Sequence, residues 1–381
     1  MPPKLLKTWI EINKKAAIKN VKTFRSLVSN KTQIWAVVKS NAYGHGLVIF
    51  SKIVDEAGVD GFCVDSVKEG NKLRENNITK PILVLGPTLQ GLLKEAQDNE
   101  ITITIANKES LKEFLKSTAK PNFHLKIDSG MHRQGFYPKD IPKIISSLKK
   151  VKNNFKGVYT HFCSAKDINY PTYTELQFSN FNKALVVLER AGFSAKGGSA
   201  LGGNNLVKHV AATGGTLINK KYHLDAVRIG IGLYGLWPSK ELNIYFSKIK
   251  LAPVFSWKVL VSDVKRIKKG DYIGYDLTER ALKDGQIAIL PIGYWHGFSR
   301  VFSSLGSVLI NGKLVKVLGR VSMDIIVVDV TGIKCRVGDE AVIVGKQGKA
   351  EIAAGDAAGQ IGTSHYELIT RVNPLIERIV K

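Results

Sequence analysis

Short runs of β-branched and other apolar residues recur along the first two-thirds of the chain. Each is followed by a stretch whose apolar positions repeat with helical period. The runs are Ile34 to Val38, Gly61 to Val64, Pro81 to Leu85, Ile101 to Ile105, Phe123 to Ile127, Gly157 to Phe162, Ala195 to Leu201 and Ala226 to Ile229. Between them, Leu47 to Ala57, Ser66 to Glu75, Lys108 to Leu115 and Tyr173 to Ala191 read as helices. About eight strand–helix units is the number a closed parallel barrel requires. The structural rival is an open doubly wound sheet, which carries a Gly-rich turn after its first strand. No GxGxxG opens a helix in this chain.

The pattern changes after Trp237-Pro238. From Pro253 onward, alternation of period two marks strands at Ser256 to Val261, Ile287 to Ile292, Ser307 to Ile310, Ile325 to Val330 and Glu340 to Val344. Asn311-Gly312 has the chemistry of a tight hairpin turn. The expected class is therefore α/β: a (β/α)8 barrel over residues 1–237, then a β-rich domain over residues 238–381 that ends in a short helix.

Composition narrows the class further. Of the 381 residues, 44% are hydrophobic and 23% charged, which is ordinary for a globular chain and leaves disorder out. Cys63, Cys163 and Cys335 are far apart and odd in number, so they form neither a disulfide framework nor a CxxC metal knuckle, and no metal is expected. A reducing compartment suits them. The opening residues carry no apolar signal stretch, and no apolar run reaches the roughly 18 residues of a membrane span. A cytoplasmic protein without membrane attachment is the expectation. The formal charge of +24 invites a nucleic-acid reading. That reading needs a basic stripe, a binding module or stacking aromatics between cations, and the basic residues here are scattered with no block of five. No nucleic-acid partner is expected.

The richest chemistry lies in Trp35-Ala-Val-Val-Lys39-Ser-Asn-Ala-Tyr43-Gly-His-Gly46, where a buried strand ends in a lysine. At the mouth of a barrel strand, desolvation would favour the neutral amine that Schiff-base chemistry needs. A strand-end lysine reaching out to solvent is the ordinary alternative. The string closely resembles the AVVKANAYGHG motif of alanine racemases, with Ser40 for Ala. Further motifs follow in family order along the whole chain. The resemblance implies a barrel followed by a β-domain, pyridoxal 5'-phosphate (PLP) carried on Lys39, and interconversion of L- and D-alanine that supplies D-alanine for peptidoglycan.

The resemblance extends to individual residues. His209-Val-Ala-Ala-Thr213 and Arg228-Ile-Gly230-Ile231 match the family's phosphate site, with the Thr213 hydroxyl, the Gly230 and Ile231 N–H groups, and the phenols of Tyr43 and Tyr366. Arg228 would face the pyridine nitrogen. As a permanent donor it hydrogen-bonds that nitrogen without surrendering a proton, which favours racemisation over transamination. Its bland alternative is a structural pair with Asp225. His161 would lie near the cofactor ring, or else be a satisfied core histidine. Tyr275, in Tyr272-Ile-Gly-Tyr275-Asp, matches the segment carrying the second base. Lys39 and Tyr275 would then act on opposite faces of Cα, with Tyr275 reaching the other subunit of a head-to-tail homodimer. The alternative for Tyr275 is an aromatic filling the β-domain core.

Arg133, in Lys126-Ile-Asp128-Ser-Gly-Met131-His132-Arg133, resembles KxDTGMGR, and its fork would grip the substrate carboxylate or the cofactor phenolate, oriented through Lys126, a position often carbamylated in the family. Gly319-Arg320-Val-Ser-Met323-Asp324 matches GRVxMD, with the Met323 N–H toward the carboxylate and Arg320 and Asp324 behind it. Pro291-Ile-Gly-Tyr294-Trp295-His296-Gly297 through Arg300 matches the entrance motif PIGYADGxxR, with Trp295-His296 where Ala-Asp is usual. Tyr366 would narrow the pocket toward a small side chain. The nearest rival is a racemase of serine or another amino acid. A decarboxylase relative needs a catalytic cysteine, and Cys335 lacks the Gly-Pro-x-Cys-Glu setting.

Overall fold

The computed structural model describes residues 6–193 and 206–381. The chain divides into two compact units, each discontinuous in sequence. One comprises Met1–Lys15, Tyr43–Ile49 and Pro253–Lys381, and the other Ala16–Ala42 and Phe50–Ala252. A cut at Trp237-Pro238 does not express the transfer of the N-terminal residues and of Tyr43–Ile49 to the C-terminal unit. Strand β1 (Thr8–Ile12) supplies part of the reason, because it is a member of the C-terminal sheet.

The unit built from Ala16–Ala42 and Phe50–Ala252 contains β2 (Gln33–Val37), β3 (Gly61–Val64), β4 (Ile82–Val84), β5 (Ile101–Ile105), β6 (Phe123–Lys126), β7 (Phe155–Tyr159), β8 (Val207–His209) and β9 (Ala226–Ile229). Each strand from β2 to β7 pairs in parallel with its successor, and β9 returns to pair with β2. The β8–β9 seam closes through Asp225 N–H to Lys208 O at 3.1 Å and Arg228 N–H to Ala211 O at 2.9 Å. A right-handed parallel barrel buries both faces of its strands, which is why β3, β4, β6 and β9 are buried at every position. The run Ala195 to Leu201 lies outside the described residues; Val207–His209 takes the place between β7 and β9.

Helices begin where local chemistry satisfies their first N–H groups. Ser66 accepts from the Glu69 N–H ahead of Val67–Arg74, and Asn107 forms a capping box with Ser110 ahead of Lys108–Lys116. Lys108–Lys116 then buries Leu111 and Phe114, three positions apart.

The other unit adds β10 (Phe255–Leu260), β11 (Asp263–Ile267), β12 (Gly285–Leu290), β13 (Ser307–Ile310), β14 (Lys313–Leu318), β15 (Ile326–Asp329), β16 (Glu340–Gln347), β17 (Ala350–Ile352) and β18 (Glu377–Val380). They form one sheet ordered β11-β12-β15-β14-β13-β16-β10-β1-β18, with β17 on β16. Asn311 and Gly312 both have positive φ and turn β13 directly into β14, as the dipeptide predicts. The expected terminal helix is two helices, Ala354–Gln360 and His365–Thr370, and β18 follows them.

Strand β1 sits between β10, antiparallel to it, and β18, parallel to it. Its Trp9 ring is fully buried. On β10, the Trp257 indole donates to Thr8 Oγ1 at 2.9 Å, and that hydroxyl donates to Lys258 O. The Lys258 ammonium is held 3.0 Å from both Glu11 and Glu340, one on each neighbouring strand. Trp9→Ala is expected to cost about 3–5 kcal/mol, read as a lower midpoint for unfolding of this unit in urea. An unchanged midpoint would show that β1 adds nothing to the sheet.

Candidate active site

Lys39 follows the end of β2, and the three residues after it, Ser40, Asn41 and Ala42, all have left-handed φ between 51° and 56°. For L-residues this costs about 1–2 kcal/mol each, so the turn persists only because neighbours hold it. The Ala42 N–H donates to Val38 O at 2.8 Å. The Glu69 carboxylate accepts from both Asn41 N–H and Asp65 N–H, fixing the turn and the residue that Lys39 faces. The Lys39 ammonium lies 3.2 Å from Asp65 Oδ1, and its side chain is 37% exposed. The amine is therefore paired and partly solvated, which corrects the expectation that burial alone shapes it.

Beside it the barrel mouth gathers cations. Lys126, at the end of β6, is buried with Nζ 4.1 Å from the centre of the Tyr159 ring. Burial, then the charges of Arg228 and Arg133, hold the Lys126 amine well below its ordinary range. His161 lies just past the end of β7, and burial followed by Lys126, Arg228, Arg133 and Lys39 keeps its imidazole neutral. Arg133 is placed by Asp128, whose carboxylate accepts from Gly130 N–H and His132 N–H at 3.0 Å and from Arg133 N–H at 2.9 Å. The His132 backbone is left-handed, with φ 55°, at the position where the resembled motif has glycine.

Arg228 is buried and does not pair with Asp225, which instead accepts from Lys208 N–H at 2.8 Å. Its Nη1 lies 2.6 Å from His209 Nδ1 and 3.1 Å from His209 O. Its Nη2 donates to Thr160 O at 2.7 Å and Val210 O at 3.1 Å, and lies 3.4 Å from His161 Nδ1. Among the described residues no group accepts from its Nε–H, so one donor of the guanidinium remains open.

At the β9 end the buried Thr213 hydroxyl accepts from Gly230 N–H at 3.2 Å and Gly232 N–H at 3.3 Å. The Gly230 donor is thus already engaged, contrary to its expected availability, while the Thr213 O–H is left to donate. Ile231 is buried, and among the described residues its N–H has no acceptor. Open donors and clustered cations suit a ligand with several anionic groups, and a phosphorylated aldehyde with a phenolic oxygen and a ring nitrogen fits this donor set.

In the other unit, Tyr43 and Tyr366 place their rings 6.2 Å apart. Burial, then Tyr43, push the Tyr366 phenol above its ordinary range. Arg378 on β18 clasps the loop after Tyr43, donating from Nε and Nη2 to Gly44 O at 3.2 and 3.0 Å. Gly44 lies so close to Ile369 O that a Cβ would stand 2.0 Å from it, so only glycine fits. Tyr275 is 66% exposed and fills no core. It follows Gly274 in a tight loop braced by Asp276 and the Arg320 Nε at 2.8 Å. The entrance segments are stitched by Tyr294 N–H to Ser322 O and Trp295 N–H to Met323 O. Met323 is exposed, and Arg300 opens a short turn in the same region. His296 is buried, and its Nδ1 accepts from Gly293 N–H at 3.2 Å. Burial and Lys7 keep it neutral against the pull of Asp324, 3.8 Å away, so His296 and Asp324 are not an ion pair.

Residues 12–238 match the model of the alanine racemase N-terminal domain, and residues 254–380 that of the C-terminal domain. The chain belongs to the alanine racemase family. It is 38% identical to the alanine racemase of Methanococcus maripaludis, over 97% of this chain and 98% of that protein. To the enzyme of Leptospira interrogans it is 34% identical, over 98% and 95%. A solved alanine racemase of Bacillus anthracis, with bound L-Ala-P, superimposes with a TM-score of 0.92 at 34% identity, covering 100% of this chain and 96% of that one.

Within the barrel unit the structure brings Lys39, Lys126, Arg133, His161 and Arg228 together, with Thr213, Gly230 and Ile231 forming one cradle. In the other unit it groups Tyr43 with Tyr366, and Tyr294 with Met323. Asp65, Glu69 and Arg378 have no role legible in the sequence, and His209 stands in the phosphate-site motif without one of its own. His209 was legible as a polar residue at a strand end, whereas Arg378 carried no local signal. Asp128→Asn replaces an acceptor oxygen with an amide donor and is expected to cost about 1.5–3 kcal/mol of loop order. The alanine KM should rise about tenfold with a smaller change in kcat. An unchanged KM would separate the Arg133 loop from carboxylate binding.

Proposed function

We propose that this alanine racemase-family enzyme interconverts L- and D-alanine with PLP held on Lys39, and with Lys39 and Tyr275 exchanging the Cα proton on opposite faces. The observation that carries the reading is the barrel mouth, where the basic side chains of Lys39, Lys126, Arg133 and Arg228 gather around His161, whose imidazole burial keeps neutral. PLP, when bound, supplies the electron withdrawal that makes the Cα proton acidic. The Arg228 Nε–H would serve its ring nitrogen, and the Ile231 N–H and Thr213 O–H would serve its phosphate; the family resemblance adds the phenols of Tyr43 and Tyr366.

The chain's own groups then divide the work. Arg133 holds the substrate carboxylate together with the Met323 N–H. Lys39, drawn from Asp65, takes or returns a proton on one face. Tyr275 does so on the other, and its projection from an ordered, exposed loop suits delivery to the barrel of a second copy in a head-to-tail homodimer. Asp276 and Arg320 hold that loop, and Tyr294, Arg300 and Asp324 belong to the entrance. By the family resemblance, Tyr366 would narrow the pocket toward a small side chain such as that of alanine. Among the described residues no helix is long and apolar enough to cross a membrane. Supply of D-alanine to peptidoglycan in the cytoplasm is the role this chemistry serves.

The deciding assay follows D-alanine formation from L-alanine and the reverse. Tyr275→Phe should lower kcat in both directions by about 10²–10⁴-fold, and full two-way rates in this variant would end the two-base assignment. Lys39→Ala should abolish turnover, and borohydride reduction of the cofactor-loaded wild type should place the cofactor's mass on the Lys39 peptide.

The lowered range of the buried Lys126 amine favours its neutral form, which is the form that captures CO2, becoming a carbamate with loss of one proton. As a carbamate it would present an anion to Arg133. Labelled bicarbonate should give a carbamate carbon resonance in the wild type that Lys126→Met lacks. The same resonance in the variant would place the modification elsewhere.

A further inference from the structure

We propose that His209 and His124 form a neutral, one-directional hydrogen-bond relay behind Arg228, which aims its guanidinium and leaves its Nε–H as the donor facing the cofactor ring. The proposal rests on the reading of Arg228 as the ring-nitrogen partner. Its first half, the state of the two imidazoles, is independent of that reading.

The direction of the relay follows from donor counting. A guanidinium only donates, so His209 Nδ1, 2.6 Å from Arg228 Nη1, must accept and carries no proton. The His209 proton is therefore on Nε2, and this atom lies 2.8 Å from His124 Nδ1. His124 Nδ1 must accept in turn, which puts the His124 proton on its Nε2. Adding a proton to either ring would set two donors against each other. Burial and the nearby charges act the same way: burial first and then Arg228 hold His124 down at about 3, and burial, Arg228, His124 and Lys126 hold His209 well below its usual range. Among the described residues no carboxylate reaches either ring or the guanidinium.

The rings are held as firmly as the proton positions. His209 stacks on Tyr159 with centroids 4.7 Å apart and planes 5° from parallel. Trp35 lies 5.2 Å from His209 and 5.5 Å from His124. His124 rests against Gly157 on β7, where a Cβ would stand 2.5 Å from its Cε1. With Nη1 and Nη2 tied to His209, Thr160 and Val210, the guanidinium has one orientation. A carboxylate in the place of His209 would also hold it, but would cancel its charge. A neutral acceptor leaves that charge for the ligand, and the relay polarises it further. His209 and His124 are thus positioning residues, acting through Arg228.

The test uses histidine-labelled holoenzyme and 15N NMR, with the cofactor-free protein alongside. The wild type should show both Nδ1 atoms unprotonated and both Nε2 atoms protonated, unchanged between about pH 6 and pH 9. A protonated Nδ1 on either ring, or titration in that range, overturns the relay. His209→Phe should lower kcat by about 10- to 100-fold with the alanine KM nearly unchanged. His209→Asn, whose amide oxygen stands where Nδ1 stood, should recover most of it. Gly157→Ala, whose new Cβ meets the His124 ring first, covers the case where His209→Phe fails to fold, and should also lower kcat while sparing KM. If Arg228→Leu lowers kcat but neither His209→Phe nor Gly157→Ala does, the relay proposal fails alone. If Arg228→Leu too leaves kcat unchanged, the reading of Arg228 fails with it.

Discussion

A guanidinium taken out of water without a carboxylate has to find every hydrogen bond it needs among neutral acceptors. Arg228 sits in the barrel under that constraint. Two backbone carbonyls, the carbonyl and ring of His209, and the edge of His161 surround it. Burial first, and then its uncancelled charge, hold His124, His209, His161 and Lys126 below their ordinary ranges. The barrel interior thus surrounds a firmly charged Arg228 with buried bases held below their ordinary ranges. That leaves positive potential to be met by an anionic ligand rather than by the protein.

The other unit repeats the solution with Arg378. Its guanidinium is satisfied by the carbonyls of Gly44, Asn373, Ile376 and Val372, and burial lowers it to about 10. By holding Gly44 it fixes the loop that carries Tyr43. On the barrel side, Glu69 holds the strained left-handed turn after Lys39, and Asp128 holds the loop of Arg133. In each case a charged side chain is spent on backbone groups, so the functional residues stand on loops whose geometry is rigidly determined.

The charge of +24 is best understood against this background. A handful of basic residues, Lys39, Lys126, Arg133 and Arg228, define the barrel mouth. Others hold loop carbonyls, as when the Arg74 guanidinium donates to Ile78, Lys80, Asn99 and Glu100. The remaining excess is spread over the surface, where its effect is solubility and a long-range attraction for anions.

Strand periodicity, the Asn311-Gly312 turn and the string around Lys39 were legible because they depend on neighbours within a few residues. The short strands β1 and β18 were not, because each is stable only by pairing with a segment far away in sequence. The same division runs through the site. The sequence by itself determined the kinds of groups present: a strand-end lysine, a donor-only arginine, a hydroxyl and glycines after the last strands, and a tyrosine beyond the barrel. Only the tertiary structure decided which of their hydrogen bonds were already used. It engaged Gly230 with Thr213, left Ile231 open, sent Asp225 to Lys208 rather than to Arg228, and lined up His209 and His124 behind the arginine. Hydrogen bonds saturate, and their partners here come from strands distant along the chain, so local residue patterns cannot say which donors remain free.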